Sequence, residues 1–261
     1  MTGAAAATVS RKYPGDETAA PRPRSAAALA AIGVAALLFF SGFLALGIWQ
    51  LERRVWKLDL IERVEARVHA APAPAPGPSD WPDISAQRDE YRRVAASGTF
   101  VPGAETLVQA STELGPGYWV LAPLKTAQGF TVLVNRGFVP PEKRADVAGL
   151  TPPSGPVSVT GLLRISEPDG FFLRPNEPAA NLWRSRDVAA IARSRGLGTV
   201  APYFVDADAT ANPGGLPVGG LTVIAFRNSH LVYALTWFAL ALMTAGGAGA
   251  VVLHERALRR G

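Results

Sequence analysis

The stretch RNSHLVYALTWFAL, residues 227–240, sets one histidine where charged sequence gives way to an apolar run. The chain has three histidines and no cysteine. An imidazole at such a boundary is therefore a rare group there that can both bind a metal and exchange a proton. On a helix, His230, Tyr233 or Ala234, and Trp237 share one face, with Asn228 just before them. Two chemistries fit. The ring is a hydrogen-bonded anchor at a lipid–water boundary, or a neutral imidazole offered as an axial ligand to haem iron.

A second polar cluster lies in LGIWQLERRVWK, residues 46–57, also beside an apolar run. Trp49, Arg53 and Trp56 fall at i, i+4 and i+7 on one helical face, and Gln50, Arg54 and Lys57 on the adjacent one. One reading is lipid anchoring, with indoles at headgroup depth and cations on phosphates. The other is a ledge for an acidic ligand, because guanidinium forks suit carboxylates. Gln50 leans to the second, since an anchor does not need an amide. An apolar slot with an imidazole at its rim and Arg53 and Arg54 for propionates would suit a haem.

Both clusters must be positioned by membrane helices. Ser25–Leu51 gives 27 residues without a charge and Leu231–Leu253 gives 23, and a bilayer core needs about 20. The first run is too long for a signal-peptide core and is read as an uncleaved anchor. Net charge is +5 and the isoelectric point near 9.9. Glu52–Arg227 nevertheless carries 19 basic against 18 acidic residues, so the excess sits in the two short tails. That pattern predicts both termini in the cytoplasm and the middle of the chain on the opposite face. It argues against nucleic acid as a partner. In the second run Ala245/Gly249 and Gly246/Ala250 have small-xxx-small spacing, matched by Ser41 and Ala45 in the first, which predicts close packing of the spans there.

The expected organisation is a disordered tail over 1–24, a first span over 25–51 and a helical extension over 52–70. A proline-rich spacer follows over 71–87, then a β-rich domain over 88–227, a second span over 230–253 and a tail over 254–261. Strands are expected at Arg93–Phe100, Thr106–Ala110, Tyr118–Lys125, Phe130–Pro140, Val157–Ile165, Pro202–Asp206 and Leu221–Phe226. One soluble helix is expected in SRDVAAIARSRG, capped by Ser185 or Asp187 and stopped by Gly196. The fold class is thus a membrane protein with two transmembrane helices flanking an extracytoplasmic α+β domain, a barrel-like sheet of mainly antiparallel strands with one helix.

Catalytic signatures are missing from the sequence. There is no G-x-S-x-G, H-E-x-x-H, Walker loop or G-x-G-x-x-G, and His69, His230 and His254 are too scattered for a zinc or copper cage. Arg136, in VLVNRGFVP, continues an apolar strand face and calls for an acid partner or a place at the rim, with Gly137 supplying an unusual backbone angle. Asp206 and Asp208 read as a solvated pair. The chain is not expected to be an enzyme.

The order of motifs resembles the surfeit-locus 1 family of cytochrome c oxidase assembly factors. From about Leu46 to Ala241 the chain carries LGIWQLERRVWK, RRVAASGTF, GYWVLAPL, VLVNRGFVP, VSVTGLL, RPNEPAANLW, PYFVDAD and RNSHLVYALTWF. Phe138 stands where the family usually has Trp, and Ser229 where a second Asn is common. The resemblance implies a two-span protein that assists haem a insertion into the catalytic subunit of an aa3-type oxidase. His230 would be the iron ligand, with Trp49, Gln50, Arg53, Arg54, Tyr233 and Trp237 around the cofactor and Asn228 or a backbone carbonyl accepting from the imidazole. It implies the oxidase catalytic subunit, membrane lipid and haem A synthase as partners. An Ala-rich, Arg-over-Lys composition places the protein in a bacterial inner membrane. The rival readings are a scaffold that holds the catalytic subunit without ligating haem, a membrane-tethered sensor, and a haem-modifying enzyme. The short tails disfavour the sensor, and the missing acid, base or redox centre disfavours the enzyme.

Overall fold

The computed structural model describes residues 23–144, 152–168, 174–210, 212–224 and 226–260. The expected tail over 1–24 falls outside them except for its last two residues. The chain divides into two compact units: residues 57–227, and residues 1–56 together with 228–261.

The second of these units is a helix pair. Helix α1 runs unbroken over Ala26–His69 and α4 over His230–Leu258; both are long and apolar enough to cross a membrane. Alanine and leucine carry α1 with little loss of side-chain freedom. It ends before Pro72 and Pro74, which lack the N–H that a further turn requires. An alternating four–three step links the less exposed positions: Ala36, Phe40, Phe43, Gly47, Gln50 and Arg54 on α1, and His230, Ala234, Trp237, Ala241, Thr244, Ala248, Val251 and Glu255 on α4. That step is the seam of two helices packed side by side.

Packing at the expected small residues is not what forms. Ser41, Ala45, Ala245, Gly246, Gly249 and Ala250 are exposed, and a Cβ added to Gly246 or Gly249 would touch nothing. The close approach is at Gly47, where an added Cβ would run into the Phe238 ring. Phe43 stacks on Trp237 with centroids 5.7 Å apart. Glu255 is also recruited. It is 4% exposed and accepts from the backbone N–H of Arg24 at 3.0 Å and from Arg24 Nη1 at 3.1 Å. The helix therefore continues past the expected limit of the span at residue 253.

Residues 57–227 form the sheet unit. Its strands are β1 Ala73–Pro74, β2 Arg93–Phe100, β3 Thr106–Thr112, β4 Gly115–Thr126, β5 Thr131–Val139, β6 Pro156–Ile165 and β7 Val200–Ala207. Their order is β1-β2-β6-β7-β5-β4-β3, and β4 also pairs with β2. The far end of β4 does this, Leu124 to Thr126 against Phe100 to Gly98, so five strands close into a barrel. Pairing is antiparallel except for β1–β2 and β5–β7.

Period-two alternation sorts the side chains. Val94, Phe100, Leu124, Val132, Val134, Tyr203 and Val205 fill one core cluster, while Leu121, Leu133 and Phe204 join Trp183 and helix α3 (Val188–Ser194) in another. Asp187 caps α3, accepting from the Ala190 N–H at 3.0 Å, and Gly196 closes it with φ +63°.

Two expectations are corrected here. Residues 71–87 do not act as a spacer. Ala75 N–H donates to Ala95 at 2.9 Å, and both Tyr203 Oη and the Trp81 indole donate to the Pro76 carbonyl, at 2.7 and 3.0 Å. The segment also forms a single helical turn, α2, Ala86–Asp89. Leu221–Phe226 was expected as a strand, yet its described residues make none. The chain is instead tied to the sheet slightly earlier, where Val218 and Phe138 exchange two backbone hydrogen bonds of 2.9 Å.

Candidate functional site

His230 opens α4 and Gln50 lies on the seam face of α1. His230 Nδ1 is 2.7 Å from Gln50 Oε1. A carbonyl oxygen only accepts, so Nδ1 is the donor in this contact, and the second ring nitrogen, Nε2, takes no part in it. The structure thus assigns the acceptor to Gln50 rather than to Asn228 or a backbone carbonyl. Asn228 Oδ1 is buried and has no hydrogen-bond partner among the described residues.

The seam separates the two faces read in the α1 sequence. Gln50 and Arg54 are half-buried, whereas Trp49, Arg53 and Trp56 are exposed. The Arg53 guanidinium lies 4.5 Å from the Trp56 ring centroid, an arrangement in which the cation and the indole already satisfy each other. On α4, Tyr233 is 55% exposed, and Trp237 turns into the seam against Phe43. His230, Gln50 and Arg54 are therefore gathered toward the seam, while Trp49, Arg53 and Tyr233 face outward.

At the other end of the pair sits the Arg24–Glu255 contact. With about 1.5 Å of rise per residue, Arg24–Gln50 spans about 39 Å and His230–Glu255 about 38 Å. A hydrocarbon core is about 30 Å thick. The two polar contacts thus bracket the apolar length, one near each interface. By sequence Glu255 is one charge of the tail over 254–261. The signal that could have found it is its place in the four–three step that starts at His230.

The sheet unit holds a buried ionic network that the sequence reading missed. Asp206 is 3% exposed, not solvated. It accepts from Asn135 Nδ2 at 2.8 Å, Arg164 Nη1 at 2.9 Å, Thr222 Oγ1 at 3.0 Å and Arg186 Nη1 at 3.2 Å. Glu167 adds a second acid against Arg186. Burial disfavours the Arg164 charge, but Asp206, Tyr91 and Glu90 outweigh it and hold the pKa above the ordinary arginine value. Burial likewise pushes the Glu167 carboxyl up, yet Arg186 and Arg164 pull it below the usual range. Arg136 is buried, which lowers its pKa. It donates to Asn212 Oδ1 at 3.0 Å and lies over the Phe100 ring. Gly137 beside it takes φ +132° at the β5 bulge, as the sequence led us to expect.

A cleft of about 760 Å³ opens in this unit beside β3, lined by Trp119, Glu167, Arg174, Arg184 and Arg186 among others. Its size alone does not make it the site. Arg186 already meets Glu167 and Asp206, and Arg184 meets Glu177. The His230–Gln50 pair is the better candidate because Nε2 of the imidazole takes no part in it. Among the described residues no group of three or more His, Cys, Asp or Glu could hold a bare metal ion.

A family model described as the SURF1 family matches residues 37–242. Surfeit locus protein 1 of Rattus norvegicus is 35% identical over 221 residues, covering 76% of this chain and 68% of the relative. The Homo sapiens protein of the same name is 35% identical over 218 residues, covering 76% and 70%. The SURF1-like protein of Monosiga brevicollis is 37% identical over 218 residues, covering 76% and 79%. The matched span includes both members of the His230–Gln50 pair and the whole sheet unit, and the chain belongs to the SURF1 family.

Proposed function

We propose that the chain assists assembly of an aa3-type cytochrome c oxidase by holding haem a at the outer rim of its helix pair, before the cofactor passes to the catalytic subunit. Membership of the SURF1 family carries the coarser part, a membrane-bound role in cytochrome oxidase assembly. The observation supporting the finer part is the 2.7 Å contact between His230 Nδ1 and Gln50 Oε1. An imidazole that donates from one nitrogen to a fixed acceptor is a more basic, better oriented ligand at the other.

Haem a is cargo in this reading, and it would bring an iron centre and two propionates. His230 would hold the iron, Arg54 a propionate and Gln50 the imidazole, while Arg53, lying over Trp56, would add little. Trp49 and Tyr233, both exposed, would cover the macrocycle from lipid. The sheet unit would stand outside the cytoplasm of a bacterial inner membrane with both termini inside. Haem A synthase would be the donor and the oxidase catalytic subunit the acceptor, and the chain itself would catalyse nothing.

One observation favours the scaffold reading, in which the catalytic subunit is held without haem ligation. Trp237 and Arg53 are engaged with Phe43 and Trp56, so neither is free to serve a porphyrin without moving. An absorption spectrum of the detergent-purified protein, expressed with and without haem a synthesis, decides between them. A haem a spectrum lost in His230→Ala, at unchanged abundance and insertion, supports ligation. A spectrum unchanged in that variant leaves the scaffold.

A further inference from the structure

The end of the helix pair that carries Glu255 contains a groove. It has a volume of about 200 Å³, with Leu29, Ile32 and Gly33 on α1 and Ala248, Val251 and Val252 on α4, and with Arg256 and Arg259 at its mouth. Two features shape it. A Cβ added to Gly33 would meet nothing within 4 Å, so the wall is open where any other residue would fill it. The one acid beside it, Glu255, is buried and takes both of its hydrogen bonds from Arg24. Among the described residues that neutralised pair leaves the Arg256 and Arg259 guanidiniums without an acid partner at the rim. Arg259 is held there, its Nη2 donating to the Arg24 carbonyl at 3.4 Å.

We infer that this groove is a binding site for an anionic phospholipid, taking one acyl chain between the helices and the phosphate on Arg256 and Arg259. The apolar walls exclude a free anion, which gains nothing from them. The paired guanidiniums bind phosphate oxygens as forks, and their summed positive charge favours a headgroup of net negative charge over one whose ammonium they repel. Basic pockets between membrane helices recognise anionic lipids in this way. The inference does not depend on what His230 binds.

Native mass spectrometry of the full-length protein, released from detergent with equimolar phosphatidylglycerol and phosphatidylcholine, tests it. One retained phosphatidylglycerol is expected, preferred on the order of tenfold, as two surface arginines would give. Arg256→Gln with Arg259→Gln should bring the preference close to unity. Gly33→Leu should remove the adduct while leaving both charges in place. Equal retention of the two lipids by the unaltered protein overturns the site. So does an undiminished adduct in Gly33→Leu, which reduces it to surface charge, or displacement by inorganic phosphate, which makes it an anion site. A dimer that forms in place of the lipid adduct, and is lost in Gly33→Leu, would assign the groove to a second copy and equally overturn it.

Discussion

His230 Nδ1 and Gln50 Oε1 lie 2.7 Å apart across a sequence separation of 180 residues. The contact makes Nδ1 a donor to the amide oxygen, and it joins the end of the apolar run of α1 to the first turn of α4. An imidazole at a lipid boundary is tolerable only if it stays neutral with its nitrogens satisfied. Gln50 meets half of that requirement, and under the proposed function a ligand at Nε2 would meet the other half.

The first prediction follows from this division of labour. Gln50→Leu removes the acceptor and should weaken haem a retention by roughly 10–100-fold, the usual cost of losing a partner behind a metal-bound histidine. Gln50→Glu restores an acceptor and should recover most of it. Titration of the purified variants with haem a, followed by absorption, reads both. Equal affinity in Gln50→Leu and the unaltered protein would return Gln50 to a packing role.

The two arginines should separate. Arg54 is half-buried toward the seam, and Arg53 is exposed over Trp56. Loss of one charge-assisted hydrogen bond costs about 1.5–3 kcal/mol, so Arg54→Gln should weaken haem a binding by about tenfold or more. Arg53→Gln should change it by less than about threefold, because its charge is already shared with an indole. The reverse order in the same titration would place the propionates on the outward face.

Much of this fold could be read from local pattern. Short apolar and β-branched runs marked β2, β5 and β6 nearly to the residue, and two uncharged runs marked the spans. What could not be read depends on pairing between distant residues. Nothing near Asp206 announces that Arg164, Arg186, Asn135 and Thr222 converge on it. Leu221–Phe226 is as apolar as a strand, yet the chain has already met its partner at Val218. Proline composition suggested a spacer at 71–87, but the Pro76 carbonyl accepts two side-chain donors from the sheet unit. At the site, residue types pointed to His230 and Gln50 separately, and only the helix packing joined them.

Helix packing itself is open to test. Gly47 faces the Phe238 ring, whereas a Cβ on Gly42 meets nothing. Gly47→Val should push the helices apart and break the His230–Gln50 contact, lowering haem a retention with the protein still inserted. Gly42→Val should leave it unchanged. Because the chain has no cysteine, paired cysteines at residues 24 and 255 offer a background-free cross-link that should persist in the Gly42 variant. Equal behaviour of the two glycine variants would separate the site from the seam.

Topology gives a prediction from charge alone. The tails hold the positive excess and the two polar contacts bracket about 38 Å of helix. Reporter fusions near Pro74 and at the C-terminus should therefore report opposite sides of the membrane. The same side for both would remove the two-span arrangement.

The last prediction concerns Glu167 and the network around Asp206. Arg186 donates to Glu167 Oε2 at 3.0 Å through Nε and contacts its other oxygen through Nη2. Together with Arg164 it holds the Glu167 carboxyl below its usual range. A depressed carboxylate pKa means that the unfolded chain binds the proton more tightly than the folded one. The stabilisation is then fully present above the unfolded value, about 4.3, and is lost as pH falls through the folded value. Thermal melts of the detergent-solubilised protein should show Glu167→Gln less stable than the unaltered chain at pH 7, with the gap closing below about pH 4. Asp206→Asn should cost more. It takes from Arg164 and Arg186, both largely buried, the more deeply buried of the two acids they share, Glu167 being the other, and breaking a buried pair costs about 3–5 kcal/mol. For a domain of this size that is a fall of roughly 6–20 °C in Tm. A pH-independent gap for Glu167→Gln would show that the loss is one of packing, and that the carboxylate charge contributes nothing to the network.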